Sequence, residues 1–179
     1  RAAKFYKRGP RARAWFAKQH ITSYLTSASR NIGHLDAALA EASRDAANSS
    51  LSDLKRDDAS VSVQNLSVFI KMLNKFKFTG KDLTPLEEKQ SPVVIEGVKV
   101  QTDLACLVRS VSRSDIPRVG AVFLNTQAGN GLGTREETKR KRTKAGETVS
   151  LIVLGRLINE FSDFGEPHPE DCLHVYVRA

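Results

Sequence analysis

Asp103 is the side chain of this sequence whose position most strongly suggests chemistry. It lies between two β-rich runs, Val93–Gln101 and Leu104–Val111, in a stretch dominated by valine and isoleucine. A lone carboxylate among apolar strand residues is costly to bury unless it is paired or binds a cation. We therefore expect Asp103 either to be a metal or catalytic residue, or to end a turn and pair with Arg109 or Arg118.

Clustered basic residues are the second chemically informative feature. The 179-residue chain has a formal net charge of +8 at pH 7, and such a balance favours polyanionic partners, above all nucleic acid. Phosphate contacts are expected from six residues, Arg11, Arg13, Lys139, Arg140, Lys141 and Arg142. Both clusters have a second interpretation, as a solvated helix end at the N-terminus and a solvated loop without a partner after Gln127.

The sequence lacks the signature motifs of other catalytic classes. The glycines of the GNGLG segment are not followed by the Gly-Lys-Ser/Thr of a phosphate-binding loop. Histidines are spread singly along the chain, at His20, His34, His168 and His174. Cys106 and Cys172 are predicted to be buried, reduced thiols, which favours a cytoplasmic location. No run of about 18 apolar residues occurs, so no membrane partner is expected.

Hydrophobic periodicity places most helices before the strands. It predicts helices at Arg11–Ser29, Ile32–Ala47, Ser62–Lys77 and Thr148–Phe164. It predicts strands at Val93–Gln101, Leu104–Val111, Val119–Thr126 and Cys172–Arg178. Polar composition predicts loops at Asn48–Asp58 and 127–146, and Thr84-Pro85 suggests a short helical turn within Asp82–Gln90.

These elements predict an α+β fold in which N-terminal helices pack on a mixed four-stranded sheet. We expect a helical N-terminal part, residues 1–83, and a core, residues 84–179, within one compact domain. The core order is then α-β-β-β-α-β, with Asp103 at the start of its second strand.

That order resembles the core of the PD-(D/E)XK nuclease superfamily. The resemblance covers roughly residues 84–178 and implies a restriction-nuclease-like fold, with Asp103 as metal ligand and catalytic residue. In that family a Glu-x-Lys lies on the third strand. Here the matching positions are Phe123 and Asn125, which cannot replace a carboxylate and an ammonium. Glu147 could supply a second carboxylate, and Lys144 or Lys99 the positive charge. A glutamate earlier in the chain, such as Glu41 or Glu88, could complete the site.

The sequence therefore predicts a nucleic-acid-binding protein with a degraded or migrated metal site. If it is active, the resemblance implies a Mg²⁺-dependent nuclease in which a metal-activated water attacks a phosphodiester. The alternative is a protein-interaction or scaffold subunit of a larger complex, whose basic segment folds on an acidic protein partner.

Overall fold

The computed structural model describes residues 14–86, 90–126 and 135–177. The helices are α1 (Trp15–Thr26), α2 (Ile32–Ala47), α3 (Asp53–Met72) and α4 (Arg135–Glu160). The strands are β1 (Asp82–Pro85), β2 (Val93–Ile95), β3 (Val98–Val100), β4 (Leu104–Val111), β5 (Pro117–Asn125), β6 (Glu166–Pro167) and β7 (Leu173–Tyr176). No helix in these ranges is long and apolar enough to cross a membrane.

The main sheet is mixed and has five strands. Its path is β1-β4-β5-β6, and β7 also pairs with β5. The β1–β4 and β4–β5 pairs are antiparallel, whereas β6 and β7 both run parallel to β5. The predicted α+β fold with N-terminal helices and a mixed sheet is thus confirmed, with one strand more than the four expected.

Helices cover both faces of this sheet. Cys106, Val108 and Val122 pack with the buried side chains of α1, α2 and α3. On the opposite face, Leu107 and Ala121 pack with the buried side chains of α4. A strand covered on both faces needs apolar residues at successive positions, which explains the continuous apolar sequence of β4.

The prediction that Val93–Gln101 forms a strand of the main sheet is wrong. The chain turns at Glu96 and Gly97, which both have positive φ, of 48° and 79°. The two arms, β2 and β3, pair only with each other, as a separate two-stranded sheet. A glycine at the second turn position makes this left-handed backbone accessible.

Three other segment predictions are corrected. Asp82–Pro85, expected in a helical turn, forms β1 at the edge of the sheet and pairs with β4. The predicted loop Asn48–Asp58 ends at Ser52, the N-cap residue of α3. The predicted basic loop 127–146 is helical from Arg135 onward, so α4 starts 13 residues before the expected Thr148. Residues 127–134 lie outside the described ranges.

Candidate functional site

A cleft of about 410 Å³ lies between α1 and the sheet, beside the start of β4. The exposed Trp15 stands at one side, and polar side chains of α1 line one wall. Asp103 and Leu104 contribute the opposite wall. The full lining is Trp15, Lys18, Gln19, Thr22, Ser23, Thr26, Pro85, Leu86, Gln90, Asp103, Leu104 and Ala105. An apolar cleft with a few converging polar groups is typical of a ligand site.

Asp103 is less buried than the sequence predicts, since 44% of its side chain is exposed. It pairs with neither Arg109 nor Arg118. Its Oδ1 accepts a hydrogen bond from the Gln101 side-chain amide, and its Oδ2 lies 4.0 Å from the Lys18 ammonium. The carboxylate therefore needs no cation to be tolerated, and it remains accessible to a ligand in the cleft.

Lys18 carries the positive charge of the cleft. Burial against the cleft wall lowers the pKa of its ammonium, and the nearby Asp103 carboxylate partly opposes that effect. The ammonium also lies 6.0 Å from the ring centroid of Trp15, within cation–π range. A cation next to an aromatic ring and a carboxylate suits a ligand that carries both a planar and a charged group.

The buried Arg156 of α4 holds the backbone on both sides of Asp103 in place, directly at Thr102 and through Gln90 at Leu104. Its Nη1 donates to the carbonyl oxygen of Thr102 at 2.7 Å and to the side-chain oxygen of Gln90 at 3.1 Å. Gln90 in turn accepts from the backbone N–H of Leu104 at 2.9 Å and donates to its carbonyl at 2.7 Å. Glu160 accepts from Nε of Arg156. The guanidinium thus positions the start of β4 without itself lining the cleft.

Of the residues expected to complete a metal site, the described ones, Glu147, Lys144, Lys99 and Glu41, do not line this cleft; Glu88 lies outside the described residues. Glu147 and Lys144 are exposed on α4, and Glu147 is the thirteenth residue of that helix rather than its first turn. Arg156, which reaches Thr102, is nine residues further, about 13 Å along the helix axis. Phe123, at the position of the missing acid, lies directly opposite Leu104 in the β4–β5 register.

The described side chains around Asp103 do not by themselves make up a magnesium site. Asp103 is the one carboxylate among the described residues that line the cleft, and Glu87 and Glu88 lie outside the described residues. Mg²⁺ takes six oxygen ligands and usually more than one anionic group. Across the described ranges, no group of three or more His, Cys, Asp or Glu side chains is placed to hold a metal. We therefore derive no hydrolytic step through a metal at this cleft.

Four of the six residues expected to contact phosphate, Lys139 to Arg142, lie on the N-terminal half of α4, and Lys144 follows them there. Arg140, Lys141 and Lys144 are exposed. Lys139 and Arg142 occupy the same helical segment. Glu136 and Glu137 stand in the first turn, where the helix dipole favours acids, and Glu137 pairs with Lys141 at 2.6 Å, one turn on. Arg11 and Arg13 lie outside the described residues.

Sequence reasoning missed a second lysine–aspartate pair, Lys81 and Asp171. Asp171 is buried against Ser110 of β4 and Gly120 of β5. Lys81 donates to Asp171 at 2.6 Å and the Ser110 hydroxyl donates to its other oxygen at 2.7 Å. Burial raises the pKa of the Asp171 carboxyl, but these two hydrogen bonds and the Lys81 charge outweigh burial, so its pKa lies below the usual value. Gly120 permits this contact, because a Cβ there would lie 2.2 Å from the Asp171 carbonyl.

Two histidines that stand apart in the sequence meet between α1 and α2. His20 Nδ1 and His34 Nε2 are 3.2 Å apart, and Phe16 packs against the His20 ring with centroids 4.3 Å apart. Burial lowers the pKa of His20, and the neighbouring His34 lowers it further, while Glu41 opposes both. His168 and His174 each keep one buried ring nitrogen without a hydrogen-bond partner.

The two cysteines are free thiols, and neither lies in the cleft. Cys106 is fully buried, and burial raises its pKa to about 12, so it remains a protonated thiol in the core. Cys172 is partly buried, and its pKa is also raised by burial. Neither is set up as a reactive thiolate.

Comparison with known proteins does not assign this site. No family model, no curated protein and no solved structure matches the chain. The resemblance to the PD-(D/E)XK nucleases stays a prediction, as do the catalytic roles of Asp103, Glu147 and Lys144.

Proposed function

We propose that this protein binds nucleic acid through the basic N-terminal half of α4. The observation that carries the proposal is the exposure of Arg140, Lys141 and Lys144 on a helix that extends beyond its packed part. Val149 is partly buried against the core and Val153 is fully buried, so about four turns of the helix, residues 135–148, precede its packed part. Arg11 and Arg13 add to the net positive charge of the chain.

Phosphate contacts explain why such a helix carries so many cations and so few apolar residues. Each Lys or Arg that neutralises a phosphate releases condensed counterions, and this release drives binding without reading sequence. The major groove of duplex DNA, about 12 Å wide, admits an α-helix with phosphates on both sides. A basic helix that stands free of its own protein body is suited to either a groove or a phosphate track.

The test is a salt titration of binding to a fluorescent 20-base-pair duplex and to a single strand of the same length. We expect the triple variant Arg140→Gln, Lys141→Gln, Lys144→Gln to lose affinity at low salt. The slope of log K against log salt should fall in magnitude by about 2 to 3, at roughly 0.9 per lost phosphate contact. No measurable binding of the natural chain at low salt would refute the proposal.

The matched control removes the same charge elsewhere. Lys55, Lys71 and Lys75 are exposed and lie on α3 or the 3₁₀ turn that follows it. Replacing all three by glutamine changes the net charge by the same amount, so a general charge effect would weaken binding equally. We expect the slope to stay near that of the natural protein.

Whether the cleft takes part can be measured with its own fluorophore. Trp15 is the single tryptophan of the chain and it lines the cleft. A base stacked on it, at about 1–3 kcal/mol per base, would quench its emission as the oligonucleotide is added. Unchanged emission at saturation would restrict the proposed interface to α4.

A protein partner is the second candidate, favoured by the β2–β3 hairpin. The exposed fraction is 61% for Val94, 62% for Val98 and 41% for Ile95. Apolar side chains grouped on a separate two-stranded sheet are typical of a protein-interaction surface. This candidate, a subunit of a larger cytoplasmic complex, becomes the leading one if no nucleic acid binds at low salt.

A further inference from the structure

The facing histidines of α1 and α2 have the geometry of a chelating pair. Two imidazoles on one tetrahedral ion, each bound at about 2.0–2.1 Å, have nitrogens about 3.3–3.4 Å apart. His20 Nδ1 and His34 Nε2 are 3.2 Å apart. We propose that His20 and His34 form a two-histidine site for a borderline divalent ion such as Zn²⁺, Ni²⁺ or Cu²⁺.

The ring placement fits chelation as well as the hydrogen bond that joins the two nitrogens here. A straight N–H···N bond of this length puts the ring centroids about 5.5 Å apart, because both rings then lie along the line of the bond. Chelation on a tetrahedral ion bends the pair and brings the centroids to about 5 Å. The observed centroids are 5.0 Å apart, with the ring planes 38° to each other. The two rings are therefore bent out of the straight arrangement, as chelation requires.

Protonation at this pair also suits metal binding. Ligand imidazoles must be neutral, and burial together with the neighbouring His34 keeps the His20 pKa below its usual value. In the metal-free pair one near nitrogen donates to the other. Binding requires that hydrogen to move to the far nitrogen of the same ring, His20 Nε2 or His34 Nδ1, and two neutral rings then release no net proton. Glu41, whose charge raises the His20 pKa, adds a negative potential that favours a cation.

The site would join two helices. His20 lies in α1 and His34 in the first turn of α2, and the intervening loop contains Arg30 at a positive φ of 41°. Phe16 packs against His20 and limits the rotation of that ring. Since the protein supplies two ligands, water completes the coordination shell, and soft or borderline ions should be preferred to Mg²⁺.

The test is the midpoint of thermal unfolding with and without Zn²⁺ at pH 7.5. At a zinc concentration about tenfold above Kd, preferential binding to the folded state raises Tm by roughly 3–5 °C. EDTA should reverse the rise, and Mg²⁺ should not reproduce it. His34→Gln and His20→Gln should each weaken zinc binding at least about tenfold, and His34 is exposed, so its variant should fold.

His168→Gln is the matched control, because it removes one histidine that stands apart from the pair. Its Tm rise in Zn²⁺, measured from its own metal-free midpoint, should equal that of the natural chain. With Cu²⁺, the electron paramagnetic resonance spectrum should show two nitrogen ligands, and one after His34→Gln. An unchanged zinc response in His34→Gln, an equal response to Mg²⁺, or no response up to about 1 mM Zn²⁺ would overturn the proposal.

Discussion

Two lysine–aspartate pairs in this protein have the same chemistry and opposite surroundings. Lys81 and Asp171 are 2.6 Å apart, and only 7% of the Asp171 side chain is exposed. Lys18 and Asp103 are 4.0 Å apart, and 44% of the Asp103 side chain is exposed. Ser110 completes the first pair with a further hydrogen bond, whereas the second pair borders an open cleft.

The difference shows which pair can bind a ligand. In the first, both carboxylate oxygens already have protein partners. The backbone of Gly120 also lies so close to Asp171 that no further group fits between them. In the second, the nearest partner of Asp103 Oδ2 among the described residues is the Lys18 ammonium, at 4.0 Å. A buried, fully paired carboxylate costs much to disrupt, whereas an exposed pair contributes little to stability. We therefore assign the first pair to the fold and keep the second as a candidate ligand contact.

The largest expected effect is the loss of stability from Asp171→Asn. The variant keeps the shape of the side chain but leaves the Lys81 ammonium without its counter-charge, which should cost roughly 3 kcal/mol of unfolding free energy. Urea unfolding measures it. Glu170→Gln, an exposed neighbour in the same 3₁₀ turn, is the matched control and should change stability by less than about 0.5 kcal/mol. Equal losses in both variants would show that the lost stability does not come from the Lys81–Asp171 pair.

An acid titration of stability sharpens the same distinction. The folded pKa of Asp171 lies below its ordinary value of 3.8, so the unfolded chain binds the proton more tightly. Its contribution is therefore complete above about pH 3.8 and is lost as the pH falls through the folded pKa. The gap in unfolding free energy between the natural chain and Asp171→Asn should narrow over that range. A gap that stays constant down to pH 2 would contradict the charge pairing.

Sequence reasoning located the sheet but not these contacts. Leu104–Val111 and Ile32–Ala47 formed as predicted, because burial imposes a local pattern on strands and helices. Lys81 and Asp171 are 90 residues apart, and His20 and His34 are 14 apart. No local pattern records such pairs, since tertiary packing alone brings them together.

The prediction missed the N-terminal half of α4 for a related physical reason. An apolar stripe appears in a helix only where it packs against the protein, and most of the described side chains between Glu136 and Thr148 are exposed. Two features did mark it in the sequence, the acids Glu136 and Glu137 at its start and the Glu137–Lys141 spacing of one turn. These signals of an unpacked helix carry less weight than periodicity, so the segment was predicted as a loop.

The smallest expected effect is that of Asp103→Asn on stability, and it decides the status of the cleft. The carboxylate is half exposed and 4.0 Å from Lys18, so its charge should contribute no more than about 0.5 kcal/mol to folding. Urea unfolding measures this free energy, and nucleic-acid affinity is measured on the same samples. An unchanged stability with an altered affinity would make Asp103 a ligand contact. A loss of stability comparable to that of Asp171→Asn would instead make both pairs structural, and the cleft would lose its leading candidate residue.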